Sequence, residues 1–266
     1  MGFPDVPQSR SLCLVDQIGT TLVVAYKEST IQLEQALNAE GFTYQILRQV
    51  DQPEYAEYAS SYRCLLNHSC AWAIAAHASQ PSLIVEADFV PVKGFAQLPL
   101  PFRPHQSNTG MAWLYTCAAQ VYSVSSDGFA EGFSTGMVAY VVTPQAAQAL
   151  LGLVDHVTQK YGTGYATFDS EVDRFLRSCQ LKNYIGFRNY GEHGGSPNPE
   201  HRRHGMSGIH RADVLYGGLA FVPAYATSTS SSGVYFAWAR LNARLRGVGR
   251  LLAGRFLRFK VLRNSS

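Results

Sequence analysis

Two acidic residues that could bind a metal ion, Glu86 and Asp88, directly follow the apolar segment 83–85. Its aliphatic and β-branched residues predict a strand that is buried on both faces. Because side chains alternate along a strand, both carboxylates should project from the same side, with Ala87 on the other. Two carboxylates at the end of a buried strand are costly unless a positive charge lies beside them. Mg²⁺ or Mn²⁺ bridging a diphosphate would supply that charge, since both ions prefer oxygen ligands.

The acidic pair alone does not distinguish a metal site from a simpler interpretation, in which the acids are solvated at a strand end or cap a helix. The neighbouring elements are therefore needed. Apolar periodicity predicts a strand over 21–26, a helix over 29–39 and a second strand over 42–50. Strand, helix and strand in this order open an α/β sheet of the kind that binds nucleotides. The sequence contains neither the glycine-rich fingerprint of dinucleotide-binding proteins nor a P-loop.

Two further helices are predicted beside this sheet. The second half of 55–78 has helical periodicity, with His68 and Trp72 on its apolar face. A histidine on such a face is more often a core residue than a ligand. A later strand leads into Thr143 and Pro144, which suit the N-cap and the first position of a helix, respectively.

Two polar segments follow that could take part in catalysis. Asp169, Glu171 and Asp173 taken alone favour a helix start, where negative charge is stabilising. The segment 189–210 has no periodicity, and an irregular segment of this length is usually functional or disordered. Its side chains could contact a diphosphate or a sugar, or form a solvated surface loop. Its histidines, which lack a zinc-binding spacing, are His193, His201, His204 and His210.

The charge of the chain is unevenly distributed. Eight of the 22 basic residues and none of the 19 acidic ones lie in 233–266, so residues 1–232 have a net charge of −5. An acidic body with a basic tail is not the pattern of a protein that binds nucleic acid across its fold. It predicts a local anionic partner for the tail.

The basic tail has the pattern of an amphipathic helix. Its apolar residues recur at steps of three and four, at Leu241, Leu245, Val248, Leu252, Phe256 and Phe259. Arginines, among them Arg240 and Arg244, fall on the other side. This pattern predicts a helix that binds peripherally to an anionic membrane surface; the alternative is a helix packed on the acidic body. We therefore divide the chain into a domain over 1–232 and this helix over 233–266.

Cysteine usage and hydropathy favour a cytoplasmic protein. The five cysteines, an odd number, have no metal-binding spacing and are expected to be reduced and mostly buried. The first ten residues lack the apolar core of a signal peptide, and no apolar stretch is long enough to span a bilayer. We expect a cytoplasmic location, peripheral on the cytoplasmic membrane face through the basic tail.

Four segments, taken in order, resemble the motifs of glycosyltransferase family 25, a group of LPS and lipooligosaccharide galactosyltransferase-like proteins. The family motifs are C-x-x-S-H-x-x-x-W, E-D-D, G-x-x-x-Y-x-x-S-x-x-A and P-x-D. The matching segments are CLLNHSCAW (64–72), VEAD (85–88), GMVAYVVTPQA (136–146) and EVD (171–173), with Asp169 as an alternative for the last. The resemblance rests on the co-occurrence of these motifs and extends over about residues 21–176.

This chain departs from the family pattern at three places. Asn67 stands where the family has serine, and Ala87 where it has the middle acid of E-D-D. The arginine pair that usually follows the first strand is missing. Because the outer acids Glu86 and Asp88 are kept, the second departure does not exclude metal binding.

The resemblance implies a GT-A-like α/β fold, a single nucleotide-sugar-binding domain with a mixed central sheet. It implies transfer of a hexose, with galactose as the first choice, from a UDP-sugar to a glycan or glycolipid acceptor in LPS or other surface polysaccharide biosynthesis. Mn²⁺ or Mg²⁺, bound by Asp88 with Glu86, would neutralise charge on the departing diphosphate. The alternative is a catalytically decayed, non-enzymatic glycan- or membrane-associated protein of the same fold, with Ala87 as a sign of decay.

The resemblance also assigns roles to individual residues. The base that takes the proton of the acceptor hydroxyl must be a carboxylate or a histidine. Asp173 is the first candidate, Asp169 the second and His193 the third. Donor-binding residues are expected at His68, Trp72, Glu86, Gly136 and Tyr140.

Overall fold

The computed structural model describes residues 13–103, 106–195, 200, 203–205, 210–227 and 232–253. Its strands are β1 Thr20–Ala25, β2 Tyr44–Arg48, β3 Ser82–Glu86, β4 Phe89–Pro91, β5 Thr109–Trp113, β6 Cys117–Val124, β7 Ala130–Thr135, β8 Ala139–Val142, β9 Lys182–Ile185 and β10 Gly191–His193. Its α-helices are α1 Leu14–Gln17, α2 Ile31–Ala39, α3 Ser60–Ala75, α4 Pro144–Tyr161, α5 Asp169–Ser178, α6 Ala224–Thr227 and α7 Ser232–Leu252. Two 3₁₀ segments, Pro53–Glu57 and Phe95–Gln97, complete the regular structure of these residues.

Eight of the strands form one mixed sheet in the order β2-β1-β3-β8-β5-β9-β7-β6. β1 pairs in parallel with β2 and β3, whereas β8 is antiparallel to both of its neighbours, β3 and β5. β4 and β10 form a separate antiparallel pair. The structure thus confirms the predicted α/β class with a mixed central sheet.

Strand β3 lies inside this sheet and is covered on both faces, as the sequence predicts. Ile84 belongs to the apolar cluster on one side of the sheet, together with Trp72 of α3. Leu83 and Val85 belong to the cluster on the other side, together with Leu33 of α2. The acids that follow β3 therefore emerge at the edge formed by the carboxyl ends of β1 and β3, where open α/β sheets usually bind ligands.

Both predicted helix starts after residue 140 are found. The Thr143 hydroxyl accepts a hydrogen bond from the Ala146 amide at 3.2 Å, and Pro144 is the first residue of α4. Asp169 begins α5, with Glu171 also in its first turn. The prediction that these acids start a helix is confirmed.

The last helix and the cysteines complete the comparison with the sequence. α7 begins one residue before the predicted boundary, and residues 254–266 of the predicted tail lie outside the described ranges. No helix within those ranges is long and apolar enough to cross a membrane. None of the five cysteines forms a disulfide, but the expectation that most are buried is wrong: Cys117 is buried, Cys13 and Cys64 are half-buried, and Cys70 and Cys179 are exposed.

Candidate active site

A cleft of about 870 Å³ opens where the carboxyl ends of β1 and β3 meet the small β4–β10 sheet. A second cavity of about 330 Å³ adjoins it after β1, beside the first turns of α3. Glu86 and Asp88 line both cavities. The two predicted metal ligands therefore lie at the junction of two spaces that a ligand can enter.

A histidine completes the acidic pair. Ligand atoms of Glu86, Asp88 and His193 all lie within 4.8 Å of one another. Asp88 Oδ2 is 3.0 Å from His193 Nε2, and Asp88 Oδ1 is buried without a hydrogen-bond partner within the part of the chain that the structure describes. Two carboxylates and an imidazole are ligand types that Mn²⁺ accepts, and the oxygens also suit Mg²⁺. The residues present thus fit a divalent cation.

The pairing of β10 with β4 places His193 against Asp88. In the β4–β10 pair, His193 is the partner of Phe89, and the Gly194 amide donates to the Asp88 carbonyl at 2.8 Å. Gly195 packs so closely that an added Cβ would overlap the Asp88 carboxylate. A side chain at this position would therefore displace the acid.

The Asp88–His193 pair is ionised without any cation present. Burial lowers the pKa of His193, but the Asp88 carboxylate outweighs this and raises that pKa to about 9. Burial likewise opposes ionisation of Asp88, yet the His193 charge holds the pKa of Asp88 below its usual value. The positive charge that the two acids require is thus supplied by the protein itself.

Glu86 is held from behind by three side chains that are fully buried: His68, Trp72 and Tyr140. His68 Nε2 lies 3.1 Å from Glu86 Oε1, and His68 Nδ1 lies 2.9 Å from the Tyr140 hydroxyl. Trp72 Nε1 donates to the same hydroxyl at 2.9 Å. Because an indole nitrogen only donates, the tyrosine hydrogen is left to donate to Nδ1, so His68 is protonated at Nε2 and donates to Glu86.

This chain of hydrogen bonds changes the roles of three residues expected to bind the donor. His68, Trp72 and Tyr140 do not line the cleft in the described structure; they orient the carboxylate that does. Glu86 and Gly136 do line the cleft. His68 is fully buried, as expected of a core histidine. Its hydrogen bond to Glu86 also connects it to the site.

The structure separates the two acids of α5 that were candidates for the base. Asp169 lines the cleft, and its Oδ2 accepts a hydrogen bond from the Gly136 amide at 2.7 Å. Asp173 is only 3% exposed and accepts hydrogen bonds from Tyr122 and Asn183 in the core. Burial raises the pKa of Asp173, against the effect of these two donors. This placement does not suit Asp173 to meet an acceptor.

Arg211 is a site residue that the sequence did not single out. Its guanidinium donates to the backbone carbonyls of His193, His210 and Gly195 at 3.1, 2.7 and 3.3 Å. It also lies 3.6 Å from the centre of the Tyr225 ring. Arg211 therefore fixes the loop that carries His193, but a single arginine in an irregular segment has no spacing that predicts this role.

The smaller cavity has a different character. Tyr26 and Arg63 line it, with the Arg63 guanidinium 5.8 Å from the Tyr26 ring centre. Tyr26 donates to Asp51 at 2.7 Å, and Gln49 and Asn67 add amide groups to the lining. An aromatic ring with amide and guanidinium groups suits a flat heterocycle with several hydrogen-bonding atoms.

Comparisons with known proteins give low similarities. No protein-family model matches the chain, and no curated protein matches it. A glycosyltransferase involved in glycosylation of the major capsid of PBCV-1 aligns with 63% of this chain and 80% of its own, at 9% identity and a TM-score of 0.41. A Drosophila β-1,4-galactosyltransferase 7 variant in complex with manganese, UDP-Gal and xylobiose aligns with 69% of this chain and 73% of its own, at 11% identity and a TM-score of 0.38. CTP:phosphocholine cytidylyltransferase from Streptococcus pneumoniae aligns with 66% of this chain and 92% of its own, at 11% identity and a TM-score of 0.35. Scores this low do not establish a function for this chain.

Proposed function

We propose that the protein is a GT-A-like, metal-dependent glycosyltransferase that moves a hexose, with galactose as the first choice, from a UDP-sugar to a glycan acceptor. The observation that carries this proposal is the convergence of Glu86, Asp88 and His193 at the junction of two cavities. We further propose a role in LPS or other surface polysaccharide biosynthesis, in the cytoplasm at the membrane face. The family resemblance and the basic tail support this part.

Asp88 and Glu86 would hold Mn²⁺ or Mg²⁺, and His193 would be a third ligand once the cation has displaced its proton. Asp88 has an unused, buried oxygen for this purpose, and Glu86 is kept in place by the His68 hydrogen bond. The bound cation supplies charge stabilisation for the departing diphosphate. The larger cavity would take the sugar and the acceptor, and the smaller one would take the base of the nucleotide beside Tyr26 and Arg63.

Asp169 is the best-placed base for the acceptor hydroxyl. It lines the same cleft as Glu86 and Asp88, and the Gly136 amide fixes its carboxylate. His193 is less suited, because its pKa of about 9 keeps it protonated near neutral pH while it pairs with Asp88. Asp173 would serve a structural role in the core.

Thermal melting with UDP and Mn²⁺ tests the binding part of this proposal. A ligand at a hundred times its Kd stabilises the folded chain by about 2.7 kcal/mol, which raises the Tm of a chain of this size by roughly 5–11 °C. The shift should require both components together and should be lost in Asp88→Asn. Asp16→Asn, an exposed acid on α1, is the matched control and should keep the full shift.

A turnover assay distinguishes an active enzyme from the catalytically decayed alternative. That alternative is favoured by Ala87, which stands where the family has an acid. We expect release of UDP from a UDP-hexose in the presence of Mn²⁺, reduced more than about hundredfold in Asp88→Asn. Mn²⁺-dependent UDP binding without turnover of any UDP-hexose would favour a non-enzymatic protein. Turnover that Asp88→Asn leaves unchanged would refute the proposed metal site.

A further inference from the structure

Helix α7 presents one face to the body of the protein. Arg240 donates to the buried carboxylate of Glu192 and, at 2.7 Å, to the Ala212 carbonyl. One and two turns further on, Ala243 is buried and an added Cβ at Gly247 would lie 2.7 Å from the Asp213 Cβ. Arg240, Ala243 and Gly247, which we call the docked face, thus hold the helix against the segment that follows His210.

The opposite face of α7 is a continuous apolar stripe that faces solvent. Its residues follow one another at helical steps of three and four, so they share one side of the helix. They are 50–83% exposed: Val234, Trp238, Leu241, Leu245, Val248 and Leu252. Arg244 and Arg246, both exposed, fall on either side of this stripe. We call these six residues the apolar stripe.

This arrangement is the reverse of an ordinary surface helix, which buries its apolar side and exposes its charges. An exposed apolar patch of this kind marks an interaction site. The charges flanking it are all positive, because 233–266 contains no acidic residue. An apolar stripe with a tryptophan and flanking arginines matches the surface of an anionic bilayer, where apolar side chains enter the acyl boundary and arginines meet the lipid phosphates.

We propose that α7 lies in the headgroup layer of an anionic phospholipid bilayer, with the apolar stripe inserted and the docked face still bound to the body. The stripe is free to insert without any rearrangement, since it already faces away from Glu192. The docked face is also connected to the cleft. Arg240 binds Glu192, and the next residue, His193, pairs with Asp88. Near the other end of α7, the Arg250 guanidinium opposes the rise that burial causes in the pKa of Cys117, a residue of the cleft wall. The bilayer is thus separated from the cleft wall by about one helix diameter, roughly 10 Å.

Vesicle co-sedimentation of the full-length protein tests this proposal without any donor or acceptor, so its failure is independent of failure of the proposed enzyme. We expect binding to phosphatidylglycerol vesicles and little binding to phosphatidylcholine vesicles. Leu245→Gln should weaken binding about tenfold or more, because it withdraws a large apolar side chain. Phe187→Gln is the matched control, since Phe187 is 62% exposed and Leu245 is 60% exposed; it should bind as the wild type does.

Arg244→Gln should weaken binding to the anionic vesicles about fivefold. Arg174→Gln removes the same charge from α5, where the side chain is 70% exposed, and should have little effect. Equal losses in the two arginine variants would point to the net charge of the protein and overturn the proposed surface.

Intrinsic fluorescence reports on the stripe directly. Of the three tryptophans, Trp72 and Trp113 are fully buried, whereas Trp238 is 60% exposed. Binding to vesicles should therefore shift the emission of Trp238 to shorter wavelength, and brominated lipids should quench it. Binding without either change would place the contact elsewhere and overturn the proposal.

A second copy of the chain is the competing occupant of the stripe. In that case the wild type would be a dimer by light scattering, Leu245→Gln a monomer, and neither would bind vesicles. This result would overturn the bilayer assignment. A monomer that binds anionic vesicles through Leu245 supports it.

Discussion

Replacing Arg240 with methionine should destabilise the whole protein, although the residue belongs to a helix that the sequence suggests is an appendage. Glu192 is fully buried, and the Arg240 side chain is only 13% exposed. Glu192 Oε1 accepts hydrogen bonds from the amides of Ala212 and His193 at 2.8 and 3.2 Å, and Oε2 is bound by Arg240. Arg240→Met therefore leaves one carboxylate oxygen in the core without its cation.

The size of the effect follows from this burial. Breaking a buried ion pair by removing one partner costs about 3–5 kcal/mol, which lowers the Tm of a chain of this size by roughly 6–20 °C. The double variant Arg240→Met/Glu192→Gln should recover most of this loss, because replacing both charges with neutral groups is often close to neutral. Comparing the Tm values of the single and double variants separates the cost of the unpaired Glu192 charge from the cost of losing the packing of the arginine side chain.

The loss should also depend on pH. Burial raises the pKa of Glu192 above 4.5, and the Arg240 charge opposes this rise. Without Arg240 the pKa rises further, and an acid whose folded-state pKa is raised loses stability as the pH increases through that pKa. The deficit of Arg240→Met should therefore grow from pH 5 to pH 8, as measured by urea unfolding.

Two results would refute this reasoning. A Tm of Arg240→Met within about 2 °C of the wild type would mean that the pair is not buried as described. A double variant that is no more stable than Arg240→Met would mean that the arginine stabilises by packing and not by its charge. Either result would also weaken the connection between α7 and the cleft.

Three further predictions concern the site and its support. Tyr140→Phe leaves a buried Trp72 donor and His68 Nδ1 unpaired, so it should lower the free energy of unfolding by roughly 1–3 kcal/mol in urea titrations. Gly195→Ala places a methyl group against the carboxylate of Asp88, the proposed metal ligand, and should abolish the Mn²⁺-dependent thermal shift by UDP. Asp173 has a pKa raised by burial, so the wild type should lose stability relative to Asp173→Asn as the pH rises from about 3.8; urea unfolding across pH 3.5–7 measures the trend.

Two of these variants, Gly195→Ala and Asp173→Asn, have a matched control in the chain. Gly217→Ala adds a methyl group where no atom lies within 4 Å of its Cβ, and it should leave the thermal shift intact. Asp155→Asn makes the same acid-to-amide change at an exposed position on α4 and is the matched variant for Asp173→Asn. Normal Mn²⁺-dependent binding in Gly195→Ala, or a flat pH dependence for Asp173→Asn, would contradict the geometry. A Tyr140→Phe variant as stable as the wild type would contradict the hydrogen-bonding chain.

Local patterns predicted the parts of the site that lie on continuous elements. The run 83–85 is apolar and β-branched, so the burial of β3 and the exit of Glu86 and Asp88 into a cleft could be read from a few residues. The start of α4 at Thr143 and Pro144 was equally predictable, because capping depends on neighbours in sequence. These signals required no knowledge of long-range contacts.

Contacts between residues far apart in the sequence determine which of the candidate residues lie at the cleft. Asp169 and Asp173 lie one turn apart on the same helix, and only the packing of α5 against β7 and β9 places one at the cleft and the other in the core. The three-residue strand β10, which carries His193, is too short to show a period. Its pairing with β4 brings it to Asp88.

In the tail, tertiary contacts determine which side of the amphipathic helix faces the body. The periodicity of the tail predicted an amphipathic helix with Arg240 on the side opposite the apolar residues, but it did not decide which of the two sides packs on the body. The structure places Arg240 inward, because the buried Glu192 carboxylate needs a cation. The apolar side consequently faces outward, which agrees with the predicted surface-binding helix and not with the alternative of a helix packed on the body through its apolar side.

The hydrogen bonds behind Glu86 also restrict the path of protons. Because an indole N–H has no lone pair with which to receive a proton, the relay through His68 and Tyr140 ends at Trp72 and conducts nothing into the interior. Under the proposed mechanism, a proton taken from an acceptor in the cleft would therefore not leave through this chain of hydrogen bonds.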